Sequence, residues 1–415
     1  MDVALLSLTG LVALALLFDY TNGFHDAANA IATVVATHVL RPRWAVAWAA
    51  AWNVVAFALV GTAVADTVGQ TVDAPYLGPA VVFAALLGAV VWNLASWQLG
   101  LPTSSSHALV GGLVGAGLTA GGPAAVQASS VEKTALFMVV SPVAGLVLGA
   151  LTLAVLRLVL RGRDVGPTER RFRGVQLVSS AAVSLAHGGN DAQKTMGVIT
   201  ALLVSTGHLT AGPGGELPVP AWVVAAAYTA IAAGTLSGGW RIVRTMGTSI
   251  THLRPVSGFA AETAAAVAIF GSTALGAPVS TTHTVAGAIT GVGATNRGTV
   301  VHWAVFGRLA IAWLITLPAA AGVAALTYLL TTAPPDAVSA VLLTALLAGL
   351  AGTLLVAVRR APGAGEAVPG CSVPGYAAPE QPDVHVPMRP GTGSVLHATG
   401  ARPALLPVAG AAEPL

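Results

Sequence analysis

Two polar stretches interrupt long apolar runs of the sequence. They are NGFHDAANA at residues 22–30 and AHGGNDAQKT at residues 186–195. Each contains an aspartate with amide or imidazole neighbours, and an ionisable side chain at membrane depth is costly enough to mark a functional site by default. Asp26 and Asp191 are therefore the first candidates for a site. Carboxylates in such a place would bind a cation or carry a proton.

A second pair of stretches indicates that the chain is duplicated. LGLPTSSSHALVGGLVGAG, residues 99–117, aligns with LGAPVSTTHTVAGAITGVG, residues 275–293, at a constant offset of 176. The two polar stretches align in the same order, with His25 to Asn29 over Asn190 to Lys194. Duplicated membrane halves with interrupted hydrophobic segments at matching positions are typical of secondary transporters.

Each copy of the second motif places three hydroxyl side chains close behind a proline. The proline interrupts the helix, and non-helical backbone at membrane depth is tolerated only where it lines a cavity or is buried in protein. Hydroxyls can cap the helix that follows, and the free N–H groups at that helix start attract anions. A pure capping role is the structural alternative. The candidate anion ligands are Ser104, Ser105, Ser106, Ser280, Thr281 and Thr282.

The residues that follow the hydroxyls have structural interpretations. His107 and His283 fit structural hydrogen bonding at least as well as ligand binding. Small residues at a four-residue spacing predict close helix packing at the centre of the molecule. These small residues are Gly111, Gly115, Gly287 and Gly291.

The composition assigns the protein class. Of the 415 residues, 55% are hydrophobic and only 8% are charged, whereas soluble domains have about a quarter charged residues. Asp2 rather than a basic residue precedes the first apolar run, which favours a retained span over a secretory signal. The length and number of the apolar runs predict an all-α polytopic membrane protein with roughly ten to twelve membrane segments.

Charge distribution predicts the topology and the domain organisation. Residues 157–173 contain six arginines and two acids and are expected to face the cytoplasm. The predicted regions are a first membrane repeat at 1–156, a basic cytoplasmic loop at 157–173, a second repeat with the final spans at 174–358, and a disordered cytoplasmic tail at 359–415. The single cysteine, Cys371, excludes an internal disulfide and a cysteine-built metal site.

Together the four motifs, NGFHDAANAIAT, PTSSSH, AHGGNDAQKTMGVI and PVSTTH, resemble those of the PiT family of inorganic phosphate transporters. The resemblance covers residues 5–330. It implies two inverted repeats with paired re-entrant helical hairpins that meet near the bilayer centre. It also implies cotransport of phosphate with Na⁺ or H⁺.

The chain departs from the sodium-coupled pattern of that family at one position. That pattern has an asparagine after the aspartate in both copies, but the second copy here has Lys194. Its ammonium could replace a bound Na⁺ or contact the phosphate. The form QKT resembles the proton-driven bacterial branch that accepts neutral metal–phosphate complexes. We therefore expect H⁺ coupling, with Na⁺ as the alternative.

The predicted site has three groups of residues. The phosphate ligands are the six hydroxyls and Lys194. Cation or proton coupling is assigned to Asp26, Asn29, Asn190, Asp191 and Glu262, and supporting roles to His25, Thr103, His107, His187, Gln193 and His283. A structural salt bridge from Glu262 to Arg241, Arg244 or Arg254 is the alternative for that acid. Asp19 ends the first apolar run, where a position at the membrane interface is one alternative and its role is left open.

Other functions are less well supported by these residues. A permease for another tetrahedral oxyanion, such as sulfate, would use the same hydroxyls. An intramembrane metalloenzyme built on Asp26, His25, Asp191 and His187 lacks a recognised catalytic motif. No cofactor, fixed metal site or nucleic-acid partner is expected. The expected partners are phosphate and the lipid bilayer of the plasma membrane, with a homodimer and a cytoplasmic regulatory protein as candidates.

Overall fold

The fold consists of helices joined by short connections. The computed structural model describes residues 3–295, 300–333 and 337–359, and these residues contain no β-strand beyond an isolated bridge between Val72 and Val126. The predicted tail lies outside the described residues except for Arg359. The helices are α1 Val3–Ala36, α2 Pro42–Leu59, α3 Ala63–Gly69, α4 Pro79–Gln98, α5 Ser105–Gly121, α6 Ala128–Val159, α7 Val165–Ser205, α8 Ala221–Ser237, α9 Trp240–Arg244, α10 Pro255–Ala274, α11 Thr281–Thr295, α12 Trp303–Thr332 and α13 Ala337–Arg359.

The same order of elements occurs twice. A long helix with a polar motif (α1 or α7) is followed by a sharply bent pair, then by two helices joined at the hydroxyl motif, then by another long helix (α6 or α12). The bent pair of the first half is α2 and α3, at 93°, and that of the second half is α8 and residues 240–249, at 66°. This order agrees with the duplication inferred from the sequence.

Fewer helices meet a length and hydropathy test for membrane spans than the sequence predicted. Six of the described helices meet it, or up to eight if each bent pair is one span. The 41-residue α7 falls short because it contains the second polar stretch and a charged first part. The 15-residue α11 is too short. The polar site itself therefore lowers the number of recognisable spans.

Helical structure extends further than the sequence suggested at two places. Helix α1 continues through the first polar stretch without a break. The predicted basic loop is largely helical, since α6 ends at Val159 and α7 begins at Val165. Glu and Arg at residues 169–171 favour helix, so only residues 160–164 connect the two helices.

The halves exchange their last long helices. Helix α6 packs on α10 and α11 of the second half, and α12 packs on α4 and α5 of the first half. The predicted close packing of the motif glycines is confirmed at these contacts. A Cβ on Gly111 would lie 2.5 Å from the Leu317 carbonyl oxygen, and Gly287 directly faces the Pro142 carbonyl. This exchange fixes each hydroxyl motif against the opposite half.

Candidate functional site

The first hydroxyl of each triplet is a helix cap. The Ser104 Oγ accepts a hydrogen bond from the His107 backbone N–H at 3.2 Å, and the Ser280 Oγ accepts from the His283 N–H at 3.1 Å. Each cap satisfies one of the free N–H groups at the start of its helix. These two predicted phosphate ligands therefore have a structural partner already. The second hydroxyl of each triplet donates to an acid instead, and the third accepts from Lys194 or Asn29.

Asp26 holds the first half of the site together. Its Oδ1 lies 2.6 Å from the His25 Nδ1, and its Oδ2 accepts a hydrogen bond from the Ser105 hydroxyl at 3.0 Å. The other ring nitrogen of His25 lies 3.1 Å from the Ser96 Oγ and 3.4 Å from the Thr103 Oγ1. His25 thus contacts Asp26, and Thr103 and Ser96 contact His25; Ser96 is a member that the motifs did not suggest.

Asp191 has the corresponding position in the second half. Its Oδ2 accepts a hydrogen bond from the Thr281 hydroxyl at 3.2 Å, and the same oxygen lies 3.1 Å from the His187 Nε2. Its Oδ1 pairs with the Lys194 ammonium. Each aspartate therefore accepts a hydrogen bond from the hydroxyl motif of its own half.

The residue three positions after each aspartate connects to the opposite half. The Asn29 amide donates to the hydroxyl oxygens of Thr281, at 3.1 Å, and Thr282, at 3.0 Å. The Lys194 ammonium donates to the Ser106 hydroxyl and, at 3.0 Å, to the Val279 carbonyl. These bonds bring α1, α7 and both hydroxyl motifs into one buried cluster.

The acids of the two halves meet at the centre of this cluster. One ligand atom from each of Asp26, His187 and Asp191 lies within 4.8 Å of the others, and all three side chains are buried. Two carboxylates and an imidazole at this spacing could hold a cation between the halves. The four remaining hydroxyls, on Ser105, Ser106, Thr281 and Thr282, lie beside this position and offer both donors and acceptors to an oxyanion.

Glu262 lies apart from the hydroxyls and is linked to them through α1. It accepts hydrogen bonds from Thr33 at 2.5 Å, from Gln176 at 3.0 Å, and from the Ser179 hydroxyl. Among the described residues it has no ion pair, so the alternative of a salt bridge to Arg241, Arg244 or Arg254 is wrong. Its partners are neutral donors because α1 and α7 present only hydroxyl and amide groups there.

Three predicted supporting residues stabilise helix packing. The Gln193 Oε1 accepts from the Val64 N–H at 2.7 Å, which holds the bend between α2 and α3. The ring centroids of His107 and His283 lie 4.8 Å apart. The His283 ring stacks on that of Trp313, with 4.0 Å between the centroids. These side chains surround the site without facing the acids.

Asn190, predicted to take part in coupling, donates to the Thr273 hydroxyl at 2.8 Å. This bond connects α7 to α10, next to the second hydroxyl motif. The amide therefore positions Asp191, its neighbour in the chain.

A polar stripe along α1 was not recognised in the sequence. Its members are Asp19, Asn22, Asp26, Asn29 and Thr33, whose spacing of three and four residues places them on one helix face. Asp19 is 0% exposed and lies within a continuous helix, so it belongs to the buried polar face of α1. The helical period would have identified the stripe had α1 been assigned its full length.

The chain matches known proteins over most of its length. Residues 22–167 and 162–324 match the model of the phosphate transporter family. A protein of Rhizobium meliloti (strain 1021) named "Probable low-affinity inorganic phosphate transporter" is 51% identical over 322 residues, which cover 77% of this chain and 95% of that protein. A protein of the same name from Bacillus subtilis (strain 168) is 42% identical over 332 residues, covering 79% of this chain and 98% of that protein.

The fold is also similar to a solved structure. The structure titled "The sodium-dependent phosphate transporter" superposes with a TM-score of 0.69 at 24% identity, covering 78% of this chain and 98% of the other. That likeness concerns the arrangement of the helices. Together with the family match over most of the chain, it leads to one conclusion: the protein is a multi-pass membrane protein and belongs to the phosphate transporter family.

Proposed function

We propose that the protein is a symporter that imports inorganic phosphate together with protons across the plasma membrane. The observation that carries the proposal is the buried cluster in which hydroxyls from two helix starts meet two carboxylates and one ammonium. Phosphate has acceptor oxygens and, when protonated, donors. Hydroxyls can serve both, because each is a donor and an acceptor.

The carboxylates account for the cotransported charge. Asp26 and Asp191 would repel a bare phosphate anion, so their position beside the hydroxyls suits a cargo that includes positive charge. Moving a net anion into a low-dielectric site is strongly unfavourable. A proton or a metal ion that travels with the phosphate would reduce this cost. A neutral metal–phosphate complex, with its cation near Asp26, His187 and Asp191, would satisfy the same condition.

Lys194 supports protons over sodium as the coupling ion. Its ammonium contacts Asp191 and the Ser106 hydroxyl, in the place where the sodium-coupled pattern has an uncharged amide. A tethered positive charge there competes with a bound Na⁺ for the same carboxylate. Glu262, buried among neutral donors, is a further candidate proton carrier.

Two alternatives have some support. Sodium coupling would follow from the similarity to the solved sodium-dependent transporter, and sulfate transport would follow from hydroxyl recognition of any tetrahedral oxyanion. An intramembrane enzyme is not favoured, because the named relatives are transporters. We also propose, from the sequence alone, that the C-terminal tail is cytoplasmic. A homodimer and a cytoplasmic regulatory protein are further candidates from the sequence.

The decisive experiment is uptake of ³²P-phosphate into proteoliposomes containing the purified protein. One arm applies an inward proton gradient in sodium-free buffer, a second applies a sodium gradient at equal pH, and a third adds excess sulfate. A fourth varies Mg²⁺ or Mn²⁺ in the proton arm. We expect uptake in the first arm without sodium and no competition by sulfate. Uptake that depends on added sodium would contradict proton coupling, and competition by sulfate would contradict phosphate selectivity.

A further inference from the structure

Asp19 is a buried acid that the proposed transport scheme leaves unused. It lies two helical turns before Asp26 on the polar stripe of α1 and is 0% exposed. The matching position in the second half, at the offset that aligns the two aspartates, is Ser184. The extra carboxyl is therefore a feature of the first half alone. The two copies therefore differ in charge at this position, and the difference requires an explanation.

Polar side chains from three helices surround the Asp19 carboxyl. The side chains of Asn22 on α1 and Thr195 on α7 face it, and Tyr228 of α8 lies nearby. In the part of the chain that the structure describes, both oxygens of Asp19, both polar atoms of Asn22, and the hydroxyls of Thr195 and Tyr228 lack hydrogen-bond partners of good geometry. Buried polar atoms are nearly always paired. A group of them around one carboxyl therefore marks a polar position inside the helix bundle, where a proton can bind.

The charges that face Asp19 connect it to the phosphate site. Among the described residues they are Asp191 and Lys194, both on α7, with the Tyr228 phenol as the further ionisable neighbour. An ionised Asp19 is attracted by the Lys194 ammonium and repelled by Asp191. Lys194 also contacts Ser106 of the predicted phosphate site. A phosphate bound there would draw on the same positive charge and leave an ionised Asp19 less compensated.

We infer that Asp19 is a further proton-binding residue of the transport cycle, linked to phosphate binding through Lys194. In one state the carboxylate accepts a proton from water and becomes a neutral carboxylic acid, and in the opposite state it returns that proton to water. Because such coupling is reciprocal, proton uptake at Asp19 raises the affinity for phosphate by the same factor that phosphate raises the affinity for the proton. This inference rests on the proposed proton symport.

The test compares Asp19→Asn with Ser184→Ala, its matched control from the second half. Two quantities are measured in proteoliposomes: exchange of internal for external ³²P-phosphate without a gradient, and accumulation driven by an inward proton gradient. Asparagine resembles the protonated acid but cannot release a proton. We expect Asp19→Asn to keep exchange and to lose accumulation, whereas Ser184→Ala keeps both. Asp19→Glu should restore part of the accumulation.

Phosphate binding at pH 6 and pH 8 provides the second readout. The protonation of phosphate itself affects all variants equally, so the difference between variants reports on Asp19. A coupling of the usual size would give at least a fivefold larger change in affinity for the wild type than for Asp19→Asn.

The outcomes separate the two proposals. Accumulation by Asp19→Asn at the wild-type rate overturns the inference, and so does a loss of exchange together with accumulation, because the residue would then be structural or phosphate-binding. A wild-type protein that exchanges phosphate but ignores the proton gradient contradicts the proposed proton symport instead.

Discussion

The two halves of the site have the same hydrogen-bond pattern but different charge. In each half an aspartate accepts from the hydroxyl motif of its own half, Ser105 for Asp26 and Thr281 for Asp191. In each half the residue three positions later reaches the opposite hydroxyl motif. That residue is the neutral Asn29 in the first half and the charged Lys194 in the second.

The two halves share their hydrogen bonds and differ in their ionisable groups. The shared bonds hold the hydroxyls and acids in place, and they follow from the repeated order of helices. The differences concern ionisable groups, because Lys194 replaces an asparagine and Asp19 corresponds to Ser184. The common pattern therefore suits the proposed binding of phosphate by both halves. The ionisable groups that occur in one half only, Lys194 and Asp19, suit the proposed binding of the coupling ion.

The largest expected effect comes from removing either aspartate. Asp26→Asn and Asp191→Asn should each reduce phosphate uptake to background, because each removes a carboxylate charge on which the cotransported cation depends. The measurement is ³²P uptake in proteoliposomes with the amount of inserted protein quantified. Asp164→Asn, an exposed acid between α6 and α7, is the control. Near-normal uptake by only one of the two variants would show that the halves do not share this role.

Lys194→Asn removes the charge difference between the halves. It leaves Asp191 without its ammonium, and breaking a buried ion pair costs about 3–5 kcal/mol. We expect loss of most proton-driven uptake and some gain of Na⁺ dependence, since an amide oxygen suits a hard cation.

The reciprocal swap, Asn29→Lys with Lys194→Asn, sharpens the test of Lys194. If only the total charge matters, the swap should restore proton-driven uptake in sodium-free buffer. If the second half must carry the ammonium, the swap should be as inactive as Lys194→Asn alone. Unchanged proton-driven uptake by Lys194→Asn would contradict the role of Lys194 altogether.

Much of this site could be predicted from the sequence because it is written twice. The repeated spacing identified Asp26, Asp191 and the hydroxyl triplets, and the structure brings them into one cluster. The cross-connections of Asn29 and Lys194 could not be predicted, since they depend on how α1 and α7 pack against the opposite hydroxyl motifs. Contacts between distant segments leave no local pattern.

The helix boundaries were harder to predict than the site. The first apolar run of the sequence ends near Phe18, whereas α1 runs to Ala36, because buried polar residues lower the hydropathy without breaking the helix. The partners of Glu262, on α1 and α7, also required the fold, because an acid in an apolar run does not indicate whether arginine or hydroxyl groups will face it.

A smaller effect is expected from the second hydroxyl of each triplet. Ser105→Ala and Thr281→Ala each remove a hydroxyl beside the acids, and a hydrogen bond to a charged group contributes about 1.5–3 kcal/mol. The apparent affinity for phosphate should fall by roughly ten- to a hundredfold. Concentration dependence of ³²P uptake measures this change. Equal losses in the two variants would support a shared phosphate site, and unchanged affinity in both would limit the hydroxyls to a structural role.

The smallest effect is expected from the first hydroxyl of each triplet, which distinguishes capping from binding within the same motif. Ser104 and Ser280 accept from the backbone N–H groups of His107 and His283, and replacing a serine cap by alanine costs about 1 kcal/mol. Ser104→Ala and Ser280→Ala should therefore lower the thermal unfolding temperature in detergent by similar amounts, while the affinity for phosphate stays within about twofold of the wild type, well below the tenfold that 1.4 kcal/mol would give. The same uptake series used for Ser105→Ala and Thr281→Ala provides the affinity, so the four variants form one matched set. An affinity loss in Ser104→Ala as large as that in Ser105→Ala would mean that the caps also contact phosphate. A loss confined to one of the two caps would mean that the halves differ in anion binding as well as in charge.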